Sequence, residues 1–316
     1  MDPTLLLWKS EGQSFFQRFG LWFNHLLDPT LLLFSDAEIQ KAHGALLEQN
    51  VNVKEKDESA VTLLLSSVHA DSGALLPLHF RPPAVFPASV FPVLGSLIHH
   101  NGVRPALFWQ FLLQSYNAMF THTNRNSSGE QEGKSSLLQL LPVIGAVSYT
   151  TVAGVLPQIL INRLNIKSSL LQTYVKSILP IPLSATLAFF SVLTVRSEES
   201  RTGIRVFDSN GNAIGVSKAA GKKAVWDTAL SRAVLLGTTA AVPIPLILLL
   251  RRTRLFQRNP LLVTPCFYAS IALVFCLMIP VSFSLFPQLG TINREKVEDE
   301  LQAEAVGGEL YYHRGL

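Results

Sequence analysis

Residues 259–293 read NPLLVTPCFYASIALVFCLMIPVSFSLFPQLGTIN, and none of them is Asp, Glu, Lys or Arg. A helix needs roughly 20 consecutive apolar residues to cross a bilayer core, so this stretch has the length and chemistry of a span. Outward from it, SSLLQLLPVIGAVSYTTVAGVLPQILIN at 135–162 is equally free of charge. Shorter charge-free runs cover Pro83 to Val103, Pro105 to Asn124, Ser177 to Val195 and Ala233 to Leu250. The last of these ends in leucines and is followed by Arg251, Arg252 and Arg254, a basic stop. Pro83, Pro87 and Pro92 interrupt the first, and His99-His100-Asn101 close it, which suits an interfacial or re-entrant element better than a span.

These runs predict an all-α, multi-pass helical membrane protein with about five transmembrane helices, near residues 104–122, 138–160, 177–195, 232–250 and 263–285. An N-terminal extramembrane or interfacial helical region occupies 1–82, the transmembrane domain 83–290 and a C-terminal tail 291–316, with 83–103 left as re-entrant. A soluble bundle of buried helices is the alternative. Several runs lack the polar stripe at 3.6-residue spacing that such helices carry. Lipid offers backbone groups no partners, so the spans should stay helical while Pro142, Pro180, Pro182, Pro243, Pro245 and Pro280 kink or break them.

Composition supports this reading. Charged residues make up 15% of the 316, against roughly 25% in soluble domains, and mean hydropathy is +0.30. A net charge of only +4 argues against nucleic acid as a partner. Two cysteines, Cys266 and Cys276, make neither a disulfide framework nor a four-thiolate zinc site. Leu5-Leu6-Leu7-Trp8 is too short for a signal peptide, and Asp2 and Glu11 do not suit a transit peptide.

The extramembrane segments carry local signals. Phe15, Phe16, Phe19, Trp22, Phe23 and Leu26 share one helical face, fit either for a membrane interface or for packing on the protein's own domain. Ser35-Asp36-Ala37-Glu38 has capping-box spacing and opens a helix to about Gln49. The charges Lys54 to Glu58 read as a solvated helix face, and Ser127, Ser128, Gly129 and Gly133 as a polar loop in which Asn126-Ser127-Ser128 is a formal glycosylation acceptor. Within 196–231, the segment Val206 to Ile214 predicts a hairpin about Asn210-Gly211.

Chemistry-bearing motifs are few. Asp208-x-Asn210-x-Asn212 matches early calcium-loop spacing, but Ala213 stands where Gly is needed and no Glu occupies position twelve. His69-Ala70-Asp71-Ser72-Gly73 reads as a turn before it reads as a catalytic set, because triads assemble from separated positions. The histidines show no ligand spacing, and no phosphate loop or dinucleotide fingerprint is present. No catalytic residue, metal or cofactor is therefore expected, nor an enzyme. Gln110, Gln114, Asn117 and Thr121, at i, i+4, i+7 and i+11, put side chains on one face of a span, where polarity is costly. They suit a substrate path, or interhelical hydrogen bonds worth about 1 kcal/mol each. Ala146, Thr150 and Gly154 allow close helix packing.

Along nearly its whole length the chain resembles the sideroflexins. His69-Ala70-Asp71-Ser72-Gly73 is similar to the family's His-Pro-Asp-Thr-Gly, and QFLLQSYNAMFTHTNRN at 110–126 to its Gln-rich, Thr-Asn-Arg segment. Gly203-Ile204, DSNGNAIGVS at 208–217, Ser231-Arg232 and LFPQ at 285–288 follow in family order, after Trp8, Ser14-Phe15, Arg18 and Asp28-Pro29. The resemblance implies a multi-pass carrier of the mitochondrial inner membrane, without a cleavable presequence, moving a small amino acid; serine is the substrate assigned to the best-known members. Those members have Asn-x-x-Asn-Ile-Pro-Leu-Met-Arg where this chain has AFFSVLTVR at 188–196, so Ala188 and Ser191 replace both asparagines and Leu193 the proline. This departure looks most like a divergent paralogue within the family. The expected path is Gln110, Gln114 and Asn117, with Asn124 and Arg125 at its mouth and Arg196 flanking the third span. The rival expectation, from the lost asparagines, is a non-transporting scaffold partnering respiratory-complex assembly factors, in complex I and iron–sulfur cluster maturation. An odd number of spans would put the two tails on opposite sides of the bilayer.

Overall fold

The computed structural model describes residues 8–9, 14–48, 58–98, 100, 102–126, 136–164, 171, 174–304 and 308–316. The charge run at Lys54 to Asp57 and the polar loop at 127–133, with the glycosylation acceptor's serines, lie outside these residues.

The membrane bundle is made of α4 (Val85–Leu97), α5 (Val103–Thr123), α6 (Ser136–Gly154), α7 (Leu156–Leu164), α8 (Pro180–Val195), α10 (Lys218–Ala241), α11 (Pro243–Leu250) and α13 (Val263–Ser284). Four helical segments are long and apolar enough to cross a membrane: Gln139–Ile161, Tyr174–Val195, Lys218–Leu250 and Pro260–Ser284. This is a multi-pass membrane protein. The fifth expected span, α5, has 21 residues, roughly 30 Å of helix, but its amides lower its hydropathy below that of the other four. It sits inside the bundle between α4 and α6.

Prolines act as punctuation. Pro180 opens α8 after the wide turn Tyr174–Ile178, and Pro243, which cannot donate to the helix before it, separates α10 from α11. Pro142 and Pro280 lie inside α6 and α13.

Before the bundle come α1 (Phe15–Leu21), α2 (Asp36–Glu48) and α3 (Glu58–Ser67). Ser14 and Gln17 form a reciprocal capping box on α1, and Ser35 and Glu38 bond likewise before α2. The aromatic face of α1 and the turn after it divides between two roles. Trp22 and Leu26 are buried, Trp22 edge-on to Phe283 at 4.8 Å, while Phe15, Phe19 and Phe23 stack in a ladder whose Phe23, with Phe16, is exposed. Arg18 does not stay among those aromatics; it is buried and donates from Nε to the Ser284 carbonyl at 2.9 Å.

A small sheet caps one end. After α9 (Ser197–Thr202), β1 (Ile204–Phe207) and β2 (Ala213–Ser217) form the expected hairpin, and β3 (Leu289–Asn293) and β4 (Glu309–His313) join it in the antiparallel order β2-β1-β4-β3. Two further short helices, α12 (Arg254–Arg258) and α14 (Asp299–Glu304), complete the elements named here. The chain is thus mostly helical with one extramembrane sheet. Ile204, Val206, Ala220, Ala224, Leu310 and Tyr312 pack the sheet onto the start of α10, which Ser217 caps.

The two tails meet at the same end. α4 is the reason: it runs from the sheet end, beside Phe275 and Phe120, toward the opposite end as a sixth, short element. Its 13 residues reach only about 20 Å, less than the bilayer core, yet α4 carries the chain to the start of α5 at the far end instead of returning it to the sheet end.

Candidate functional site

Two cavities lie in the bundle and share Gln114 as a wall. The larger, with about 880 Å³ of space between atoms, lies toward the end away from the sheet, among His100, Gln110, Gln158, Lys176 and Thr239. The other, about 490 Å³, lies nearer the sheet among Asn117, Thr121, Ser191, Arg232 and Phe275. The spacing along α5 explains the arrangement: one face carries Gln110, Gln114, Asn117 and Thr121 down the bundle axis, past the space left by Gly154 on α6.

The stripe is only partly engaged in packing. Gln114 Nε2 donates to Gln110 Oε1 at 3.3 Å, and a Cβ on Gly154 would stand 2.5 Å from that same oxygen, so the glycine makes room for the amide. The Asn117 amide, half-buried, hydrogen-bonds to no other described residue. Polar atoms left open to a cavity inside a membrane domain are available to a solute.

The structure separates the remaining candidates from this stripe. Asn124 is buried at the sheet end, where Nδ2 donates to the Phe80 and Phe120 carbonyls at 3.0 and 2.9 Å and its own carbonyl accepts from the Leu316 amide at 3.2 Å. It lines a cavity with Trp22, His69, His313 and Leu316 instead. Arg125 borders a shallow hollow with His69 and Ser72. Arg196, fully buried at the C-terminus of α8, faces none of these cavities: Nε and Nη2 donate to the two Glu199 carboxylate oxygens at 2.6 Å each, Nη1 to Thr228 Oγ1 at 2.9 Å, and Nη2 also to the Arg314 carbonyl at 2.7 Å. Asn126 adds bonds to Glu199 Oε2 and the His313 carbonyl. Together they form a polar floor beneath the smaller cavity and pin the tail to it.

The other motifs resolve as turns. His69 Nδ1 accepts from the Asp71 and Ser72 amides at 3.3 and 3.2 Å, closing a turn that Gly73 completes at φ +68°. Asp208 Oδ1 accepts from the Asn210 and Asn212 amides at 2.8 Å each. These bonds, the Asn212 amide foremost, hold its carboxyl below the usual carboxylate range and use the oxygens a calcium ion would need. Among the described residues no group of three or more His, Cys, Asp or Glu converges as a metal site.

Sequence reasoning did not place Arg232 in the site. It stands one residue before the charge-free run Ala233–Leu250, where it reads as the edge of a span. Its signal lay in the helix period: Thr228, Arg232, Leu235 and Leu236 share the α10 face turned to α5 and α8.

Comparison with known proteins places the chain in a family. Residues 6–316 match the family model described as Sideroflexins. The chain is 52% identical to Sideroflexin-4 of Danio rerio and 36% identical to Sideroflexin-4 of Bos taurus, covering all of both chains in each case. It is also 28% identical to Sideroflexin of Dictyostelium discoideum, over 98% of this chain and 96% of that one. No solved structure matches. From end to end, then, the chain belongs to the sideroflexin family.

Proposed function

We propose that the protein carries a small amino acid across the mitochondrial inner membrane without converting it chemically, along the face that Gln110, Gln114 and Asn117 present. One observation supports this reading: two cavities lie along the bundle axis and share Gln114 and Leu236 as walls. Gln114 is the polar group of that shared wall, placed to meet a solute from either cavity. The test is uptake of labelled small amino acids by liposomes containing the purified protein. Gln114→Leu with Asn117→Leu should abolish uptake while insertion is unchanged; undiminished uptake would reduce the stripe to packing.

A second reading, a membrane scaffold for respiratory-complex assembly, draws on α8. Where the serine-type segment would supply two asparagines and a proline break, residues 188–193 form unbroken helix, and Ala188 and Val192 face the smaller cavity with apolar surface. Restoring the asparagines at 188 and 191 separates the readings. Uptake by the restored protein alone, with co-migration of the native protein and an assembly intermediate on native gels, would favour the scaffold.

A further inference from the structure

Arg232 lies in the smaller cavity without a counter-charge. Its guanidinium carbon sits 4.6 Å from the Phe283 ring centroid and 5.4 Å from that of Phe120, two rings stacked nearly parallel at 6.3 Å. Contacts with ring faces stabilise a cation, but a guanidinium carries five in-plane N–H donors that a π face does not satisfy. Among the described residues no carboxylate, carbonyl or hydroxyl hydrogen-bonds to them.

The surroundings heighten the imbalance. No Asp or Glu lines either cavity, and Lys176 adds a second cation to the larger one. About one helical turn toward the sheet, at the level of Thr228, Arg196 and Arg314 are buried, and the nearby Glu199 carboxylate is already bonded by Arg196 through both oxygens. Holding a guanidinium in such a place without an anion is costly. Opposite it, Gln114, Asn117, Thr121 and Ser191 offer neutral donors and acceptors only.

We infer that Arg232 is an anion-binding residue of the central cavity, gripping the carboxylate of a small solute whose remaining polar groups meet Asn117 and Gln114. The fork of N–H donors matches a carboxylate bidentately, and with no acidic residue on the walls the site recognises the carboxylate end without requiring an ammonium group. The inference rests on the transport reading for its physiological sense, though binding can be measured by itself. Zwitterionic amino acids and 2-hydroxy carboxylates share the recognised chemistry.

Thermal stabilisation of the purified full-length protein in detergent, with uptake into liposomes in parallel, tests it. Serine and alanine, their uncharged-carboxyl counterparts serinamide and alaninamide, and the hydroxy acids glycolate and lactate are the probes. The expected result is that the acids stabilise the native protein and the amides do not, and that Arg232→Gln weakens acid binding at least tenfold while Arg232→Lys retains part of it. Glycolate or lactate matching the amino acids would identify the carboxylate alone as the determinant; stabilisation by amino acids only would still support the Arg232 contact if the amides fail. Equal effects of acid and amide on the native protein, which need no variant, would overturn the inference, as would unaltered acid binding in a folded Arg232→Gln protein. If acids bind through Arg232 but nothing is taken up, the inference stands and the transport reading fails. If uptake continues in Arg232→Gln with amides competing, the reverse holds.

Discussion

The Nε2 atom of His69 lies 2.6 Å from the carbonyl oxygen of Arg125, joining the turn after α3 to the end of α5 across 56 residues of sequence. Because Nδ1 of the same ring accepts two backbone N–H bonds, the proton sits on Nε2 and the ring donates to Arg125. The turn motif and the Thr-Asn-Arg segment, far apart in the chain, are the two halves of one joint.

Replacing His69 with Ala should therefore cost about 1–3 kcal/mol, because a buried carbonyl loses this donor and the turn loses its acceptor. Thermal unfolding in detergent checks this. His69→Gln, which can both donate and accept, should recover part of the loss, and uptake per folded molecule should not change.

The Arg196–Glu199 pair makes a sharper case. Glu199→Gln leaves a buried guanidinium without its charge partner and should destabilise by about 3–5 kcal/mol, and Arg196→Met should do comparable damage. The double variant Arg196→Met, Glu199→Leu should be milder than the sum of the two. Strict additivity in that cycle would mean that the pair is not coupled.

At β4, burial lowers the His313 imidazole to about 4, reinforced by His69, Arg314 and Arg196 and opposed by Asp71. A base whose folded pKa lies below its unfolded value of about 6.5 is held neutral in the fold, so the unfolded chain binds the extra proton as pH falls. The stability it contributes is present above about pH 6.5, declines between 6.5 and about 4, and changes no further below that. Proteolytic susceptibility of the tail should rise over that interval. His313→Gln should flatten the profile if this ring causes it.

On α6, a methyl group at Gly154 would stand 2.5 Å from Gln110 Oε1. Gly154→Ala should push the Gln110 amide into the larger cavity and reduce uptake severalfold, with unfolding temperature changed little because a side-chain amide can yield. Pairing it with Gln110→Ala should restore the space. Failure of that rescue would show that the glycine serves helix packing alone.

Much of this was legible in the sequence, for physical reasons. Charge-free runs are long-range signals that local accidents do not blur, so the apolar helices could be read directly from them. The Gln110 stripe could be read because helical period and membrane polarity both marked it. Leu289–Asn293 and Glu309–His313 were not read as strands: each is five residues long, one closes a charge-free run, the other sits in a tail, and their pairing is non-local. Asn124 and Arg125 follow the stripe in sequence, but α5 ends at Thr123, so their directions are set by the turn and by Leu316 rather than by the helix. Arg232 was hidden because one cation beside an apolar run looks like a boundary until the neighbouring helices fix how deep it lies.

The sheet has one remaining consequence. β1 follows α9, β2 leads into the start of α10, β3 follows α13, and β4 from the tail pairs between β1 and β3, so a continuous backbone ladder ties the ends of α10 and α13 together. Sliding one of them past the other at this end would break ladder bonds in register, and among the described residues no sheet joins their other ends. There, α10 gives way at Pro243 and α8 begins from a wide turn. The molecule is built like a pair of tongs with the sheet as its rivet, so any relative movement of α10 and α13 should be larger at the end away from it.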